Sequence, residues 1–167
     1  MGIHVPNFII FTRDFKIKNM NTECPFCHPD IKKYNFSTSK NFLAIYNKKP
    51  ILPGHSLIIP KSHYTSLLDL PIDMIGEMME FSVRAVKILM KAFKAEAFDW
   101  TIQDGIAAGQ TVSHLHLHLI PRVTNDLPSP GDWFMELEKQ KVIDSEQRVA
   151  LSEDQMVEMV NHIRKYT

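Results

Sequence analysis

Gly109-Gln110-Thr111-Val112-Ser113-His114-Leu115-His116-Leu117-His118-Leu119-Ile120-Pro121-Arg122 governs how this chain is read. A strand sends successive side chains to opposite faces, so His114, His116 and His118 share one face and Leu115, Leu117 and Leu119 the other. Gly109 and Pro121 mark where that half-buried strand can end. Each imidazole brings a donor and an acceptor to be satisfied, and protonating two neighbours sets like charges against each other. Three readings fit the row. Imidazoles two apart on a strand converge on a metal ion. Alternatively, one ring attacks as a nucleophile while its neighbours orient it and donate protons to the leaving group. The third reading is a solvated strand whose histidines have no task. Histidine titrates near neutrality, which favours the two working readings.

The chain has 167 residues, enough for one domain that buries roughly 70% of its unfolded surface without staples. Its 19 basic and 19 acidic residues cancel, so no global field points to DNA, RNA or an anionic membrane, and phosphate binding must be local. No apolar run reaches about 18 residues and the start lacks a signal-peptide pattern, so the expectation is a soluble intracellular protein. Both cysteines lie in Cys24-Pro25-Phe26-Cys27, either a redox pair or half of a zinc site. A redox pair wants the start of a helix in a βαβ unit, which Pro29 and the polar stretch 35–40 do not provide. Zinc needs two further ligands, from His28, His55, His63 and His114.

Strands are expected at Phe8–Phe11, Phe42–Tyr46, Ser56–Ile59 and Phe98–Gln103 besides the histidine strand. The second and third form a hairpin across Asn47-Lys48-Lys49-Pro50. Asn47 suits a turn, and His55 a satisfied core position. From Pro71, Met74, Ile75, Met78, Phe81, Ala85, Ile88, Leu89, Ala92 and Phe93 recur at helical spacing, predicting a helix over 71–95 with acidic residues early and basic residues late. Residues 127–132 read as a loop, Trp133-Phe134 as an aromatic pair and 139–143 as a weak strand. Ser152-Glu153-Asp154-Gln155 opens a C-terminal helix over 152–166.

His114-Leu-His116-Leu-His118-Leu-Ile resembles the signature of the histidine triad superfamily of nucleotide hydrolases and transferases. Residues 103–112 and Pro121-Arg122 are similar to its fragile histidine triad branch, which hydrolyses dinucleoside polyphosphates, and residues 47–55 resemble that branch's nucleoside-binding hairpin. The resemblance spans about residues 42–134. It implies an α+β fold, a five-stranded antiparallel sheet with the long helix packed on it, in a single domain over 1–167 (core about 8–134) that forms a homodimer in the cytoplasm, with the nucleus also open to it.

By the same resemblance His116 attacks the α-phosphate to form a nucleotidyl-histidine, His118 bonds the phosphate or leaving group, and His114 fixes the row. Gln103 approaches the scissile bridge, and Gln110 with the Thr111 and Val112 amides holds phosphate oxygens. Asn47 bonds the ribose, Ile45 and Leu57 sandwich the purine with Ile10 or Phe11, and His55 joins the binding set. A divalent cation can accompany the substrate. Other triad proteins carry a Cys-x-x-Cys and bind zinc, which implies a closed structural site of Cys24, Cys27, His63 and His114, with His28 as the competitor of His63. The implied activity is asymmetric hydrolysis of a dinucleoside tri- or tetraphosphate. Alternatives are a purine nucleoside phosphoramidase of the Hint type or a nucleotide-binding interaction module; a uridylyltransferase has glutamine where His118 stands.

Overall fold

In the computed structural model, which describes residues 24–127 and 148–167, one antiparallel sheet carries every strand. The chain runs β1 (Asn35–Thr38), β2 (Phe42–Tyr46), β3 (Ser56–Pro60), α1 (Ile72–Phe93), β4 (Ala97–Ile102), β5 (Leu117–Arg122) and α2 (Glu153–Arg164). The order across the sheet is β1-β2-β3-β5-β4. This is the α+β arrangement with five antiparallel strands that the resemblance implied. β2, β3, β4, α1 and α2 fall within two residues of their expected limits.

Two expectations shift. The polar stretch 35–40 supplies β1, whose one apolar side chain, Phe36, is buried; four residues with a single apolar member show no period to read. The histidine strand begins only at Leu117, so His114, at a bend, and His116 lie in the segment that leads into it. The expected strand Phe8–Phe11, the loop and aromatic pair at 127–134 beyond residue 127, and the segment 139–143 lie outside the described residues.

Alternation gives the sheet two unlike faces. Phe42, Ala44, Tyr46, Ile58, Leu115, Leu117 and Leu119 face the helices and pack with Met78, Phe81, Ala85 and Leu89 of α1. Met156, Val160 and Ile163 of α2 enter the same core, so the C-terminal helix is integral to it. Burying these faces is the main favourable contribution to folding. A smaller cluster, Leu43, Ile45, Leu57 and Ile59, occupies the other face, covered by Phe26 and Ile31. Polar ties fix the edges. Glu77 of α1 accepts from the Asn41 backbone and from the Ser39 and Asn41 side chains. Arg122 bridges Asp99 (2.5 Å) and Asp126 (2.8 Å). No described helix is long and apolar enough to cross a membrane.

Gly54 turns the β2–β3 hairpin with φ +88°, and a Cβ there would lie 2.8 Å from Pro121 and 2.9 Å from Phe93. Both the backbone and the space demand glycine. Gly54→Ala is expected to destabilise the fold by about 2–4 kcal/mol, read as a lowered denaturant midpoint; an unchanged midpoint refutes this account of the hairpin.

Candidate active site

The register of the sheet assembles the site. Ile45 pairs with Leu57, Leu57 with His118, and His118 with Thr101, so one row across four strands sets two apolar side chains beside the third histidine. His55, His114, His116 and His118 are each at most 1% exposed. The rings of His116 and His118 meet edge to face, 4.8 Å between centres.

Hydrogen-bond partners fix the tautomers. Nδ1–H of His116 donates to the His114 carbonyl at 2.8 Å, which leaves Nε2 with the lone pair. His55 accepts the Ile51 N–H on Nδ1 at 3.1 Å, so its proton sits on Nε2 and is donated to His118 Nδ1 at 3.0 Å. His118 consequently carries its proton on Nε2. Asn47 Nδ2 lies 3.3 Å from the same His55 nitrogen, and Asn47 Oδ1 accepts the Lys49 N–H. Since the one Nε2 hydrogen of His55 points at His118, the longer approach of Asn47 is a contact that leaves its amide donors to spare.

His114 takes the opposite tautomer to His116. Its Nε2–H donates to the Pro60 carbonyl at 3.0 Å, and its Nδ1 lies 3.5 Å from both cysteine sulfurs. His63 Nδ1 is 3.2 Å from Cys27 Sγ. The ligand atoms of Cys24, Cys27, His63 and His114 lie within 4.8 Å of one another, a Cys₂His₂ donor set that suits tetrahedral zinc. Burial lowers the His114 pKa to about 4, with the Pro60 carbonyl opposing and His63 and His116 adding to the fall. The ring is neutral, as a ligand must be. Burial and the neighbouring Cys24 push the Cys27 thiol up to about 11, a direction that a bound cation reverses. The competitor His28 is exposed and accepts from Asp30 N as the cap of a 3₁₀ turn, outside the cluster.

A cavity of about 410 Å³ opens beside this row. Ile45, Leu57, Asn47, Thr111 and Val112, all expected in the binding set, line it together. His55 stands behind it as the partner of His118. Gln110 is placed otherwise: its Oε1 accepts from Gly105 N at 2.8 Å and its Nε2 donates to the Thr65 carbonyl at 3.0 Å, so its amide staples the loop that presents Thr111 and Val112. Gln103 Oε1 is buried with no hydrogen-bond partner among the described residues. Ile10 and Phe11 lie outside the described residues.

Sequence reasoning missed four contributors. Phe26 and Ile31 from the cysteine loop, and Met156 from α2, also line the cavity. Asp104 accepts from Ser66 Oγ and Leu67 N, anchoring the start of the same loop. The apolar character of Phe26 between two cysteines was a signal; Met156 was indistinguishable from any other core residue of its helix.

Known proteins resemble this chain in sequence and fold. An asymmetrical bis(5'-nucleosyl)-tetraphosphatase of Schizosaccharomyces pombe is 39% identical over 106 residues, 64% of this chain and 58% of that protein, so the chain matches little more than half of that relative's length. The solved diadenosine triphosphate hydrolase of Plasmodium falciparum superposes with a TM-score of 0.65 at 32% identity, over 81% of this chain and 76% of that one. A zinc-bound histidine triad family protein of Mycobacterium smegmatis gives 0.61 at 28% identity, over 80% and 82%. The model of the HIT domain matches residues 28–125, well over half of the chain, and the protein belongs to the HIT-domain family.

Proposed function

We propose that this chain hydrolyses dinucleoside tri- or tetraphosphates asymmetrically, releasing a nucleoside monophosphate through a nucleotidyl-histidine. The carrying observation is the opposed pair of tautomers: His116 keeps its Nε2 lone pair, and His118 holds a proton on Nε2. In the first step His116 Nε2 forms a bond to the α-phosphorus as the bond to the bridging oxygen breaks. The nucleoside di- or triphosphate departs, with His118 Nε2–H donating to it. In the second step water attacks the phosphorus, the P–N bond breaks, the water's proton passes to solvent, and His116 is regenerated with its Nε2 lone pair. The Thr111–Val112 loop donates to phosphate oxygens, Asn47 to the ribose, and Ile45 and Leu57 hold the base. Donors of this kind act locally, as a chain of zero net charge requires. The relatives named for tetraphosphate and triphosphate dinucleotides support the substrate class.

Zinc on Cys24, Cys27, His63 and His114 would serve as a structural cross-link with all four positions filled, and the zinc-bound relative supports that identity. A divalent cation accompanies the polyphosphate. We propose a cytoplasmic homodimer without nucleic-acid or membrane partners; β4 is an edge strand with Phe98 exposed, and α1 exposes Met79 and Val83.

Product analysis with diadenosine tri- and tetraphosphate and adenosine 5'-phosphoramidate side by side tests this reading. Adenosine monophosphate released from the dinucleotides supports it; turnover confined to the phosphoramidate overturns it. His116→Ala is expected to lower kcat by about 10⁴-fold while nucleotide affinity changes little. A near-normal rate in that variant refutes the covalent role.

His55→Phe keeps the volume but removes the donor that sets the His118 tautomer. Its kcat should fall about tenfold to a hundredfold with KM near wild type, and a loss confined to KM assigns His55 to substrate binding instead. Because metal binding to a closed site is folding free energy, chelation should lower Tm by about 10 °C or more. Unchanged melting together with no zinc by elemental analysis removes the metal from the account.

A further inference from the structure

Phe26 touches three parts of the molecule that have separate tasks. The turn Cys24–Cys27 is closed by Cys27 N–H donating to the Cys24 carbonyl at 3.0 Å, and Phe26 is carried on it, between the two cysteines in sequence. Its ring packs edge to face on His114, a member of the metal-ligand set (5.6 Å between centres), and on His116, the proposed nucleophile (5.5 Å). The same half-buried side chain lines the nucleoside cavity and packs against the cluster of Leu43, Ile45, Leu57 and Ile59. It belongs to no strand: its side chain rests on β2 and β3, and its backbone is carried by the turn that bears the two cysteines.

We propose that Phe26 couples occupancy of the Cys24/Cys27/His63/His114 site to nucleotide binding. A metal on the four ligands draws the turn onto His114 and fixes the ring as a wall of the base site; release of the metal frees the turn and loosens that wall. Coupling between two sites is reciprocal, so a nucleoside monophosphate must tighten the metal by the same factor by which the metal tightens the nucleotide. The inference rests on the nucleotide reading above and adds to it a dependence on the cysteine turn.

The test measures adenosine monophosphate affinity by calorimetry, with the protein loaded with Zn²⁺ and after chelation, and Zn²⁺ affinity by competing chelator with and without the nucleotide. Loaded wild-type protein is expected to bind the nucleotide about tenfold more tightly than the metal-free protein, a common size for such coupling, with an equal effect in the reverse direction. Phe26→Ala should keep one Zn²⁺ per chain yet show the same nucleotide affinity with and without metal, and Phe26→Leu should restore part of the difference. Equal affinities in the two forms of the wild type, or full coupling in Phe26→Ala, overturn the inference and leave the nucleotide reading intact. No binding by loaded wild type overturns that reading and the inference with it. Where the chelated chain unfolds by circular dichroism, the loaded proteins decide: Phe26→Ala must lose about tenfold in affinity at full zinc content, and an unchanged value refutes the role of the ring.

Discussion

A buried imidazole must place one donor and one acceptor, and this chain buries four of them within one region: His55, His114, His116 and His118. The backbone meets most of that demand. The Pro60 carbonyl takes the proton of His114, the His114 carbonyl takes that of His116, and the Ile51 amide fills the acceptor of His55. Each of these bonds selects a tautomer, and each tautomer selects what the opposite nitrogen can do. His114 is left with a lone pair toward two sulfurs, His116 with a lone pair on Nε2, and His118 with its proton on Nε2. The three members of the row therefore have different chemistry although their side chains are identical.

The sheet makes that demand affordable by giving the histidines a face of their own. Leu115, Leu117 and Leu119 are claimed by α1 and α2 on the opposite side, which fixes the register, since a slip of one residue would drive imidazoles into the core. With the register set, the pairing of Leu57 with His118 and of Ile45 with Leu57 follows, and the apolar pair lies beside the donor histidine. Packing on one face thereby determines the geometry of chemistry on the other.

Much of this could be read from residue types, because alternation and helical spacing are written in side chains. β2 and β3 declared themselves as short apolar runs bounded by turn residues, α1 by period, α2 by its cap and spacing, and the Cys₂His₂ set by donor type together with the resemblance. The acceptors that sort the histidines were not legible, because the Pro60 and His114 carbonyls belong to the backbone and leave no mark in a sequence. β1 was too short and too polar to show a period. Gln110 has the residue type for holding phosphate, yet its amide meets Gly105 and Thr65 first, and only coordinates reveal that prior engagement. Met156 is apolar at a helical position, and nothing in that pattern distinguishes a core residue from one that also walls a cavity.

The position of His114 between the Cys₂His₂ donor set and His116, the proposed nucleophile, explains a division of labour. Its ring nitrogens are both committed, one to Pro60 and one toward the sulfurs, so the ring itself has no proton to offer and, with its pKa near 4, none to take at neutral pH. Its carbonyl, however, orients His116. A cation held by Cys24, Cys27, His63 and His114 would have no vacant position from which to polarise a phosphate, but it would fix the ring of His114 and with it the backbone acceptor two residues before His116. In the proposed reaction the hydrogen-bond donors around the row share the phosphate charge, and such donors are strongest in a dry site. Burial of the histidine row supplies that condition, and the bond from His116 Nδ1–H to the His114 carbonyl places the ring's lone pair on Nε2.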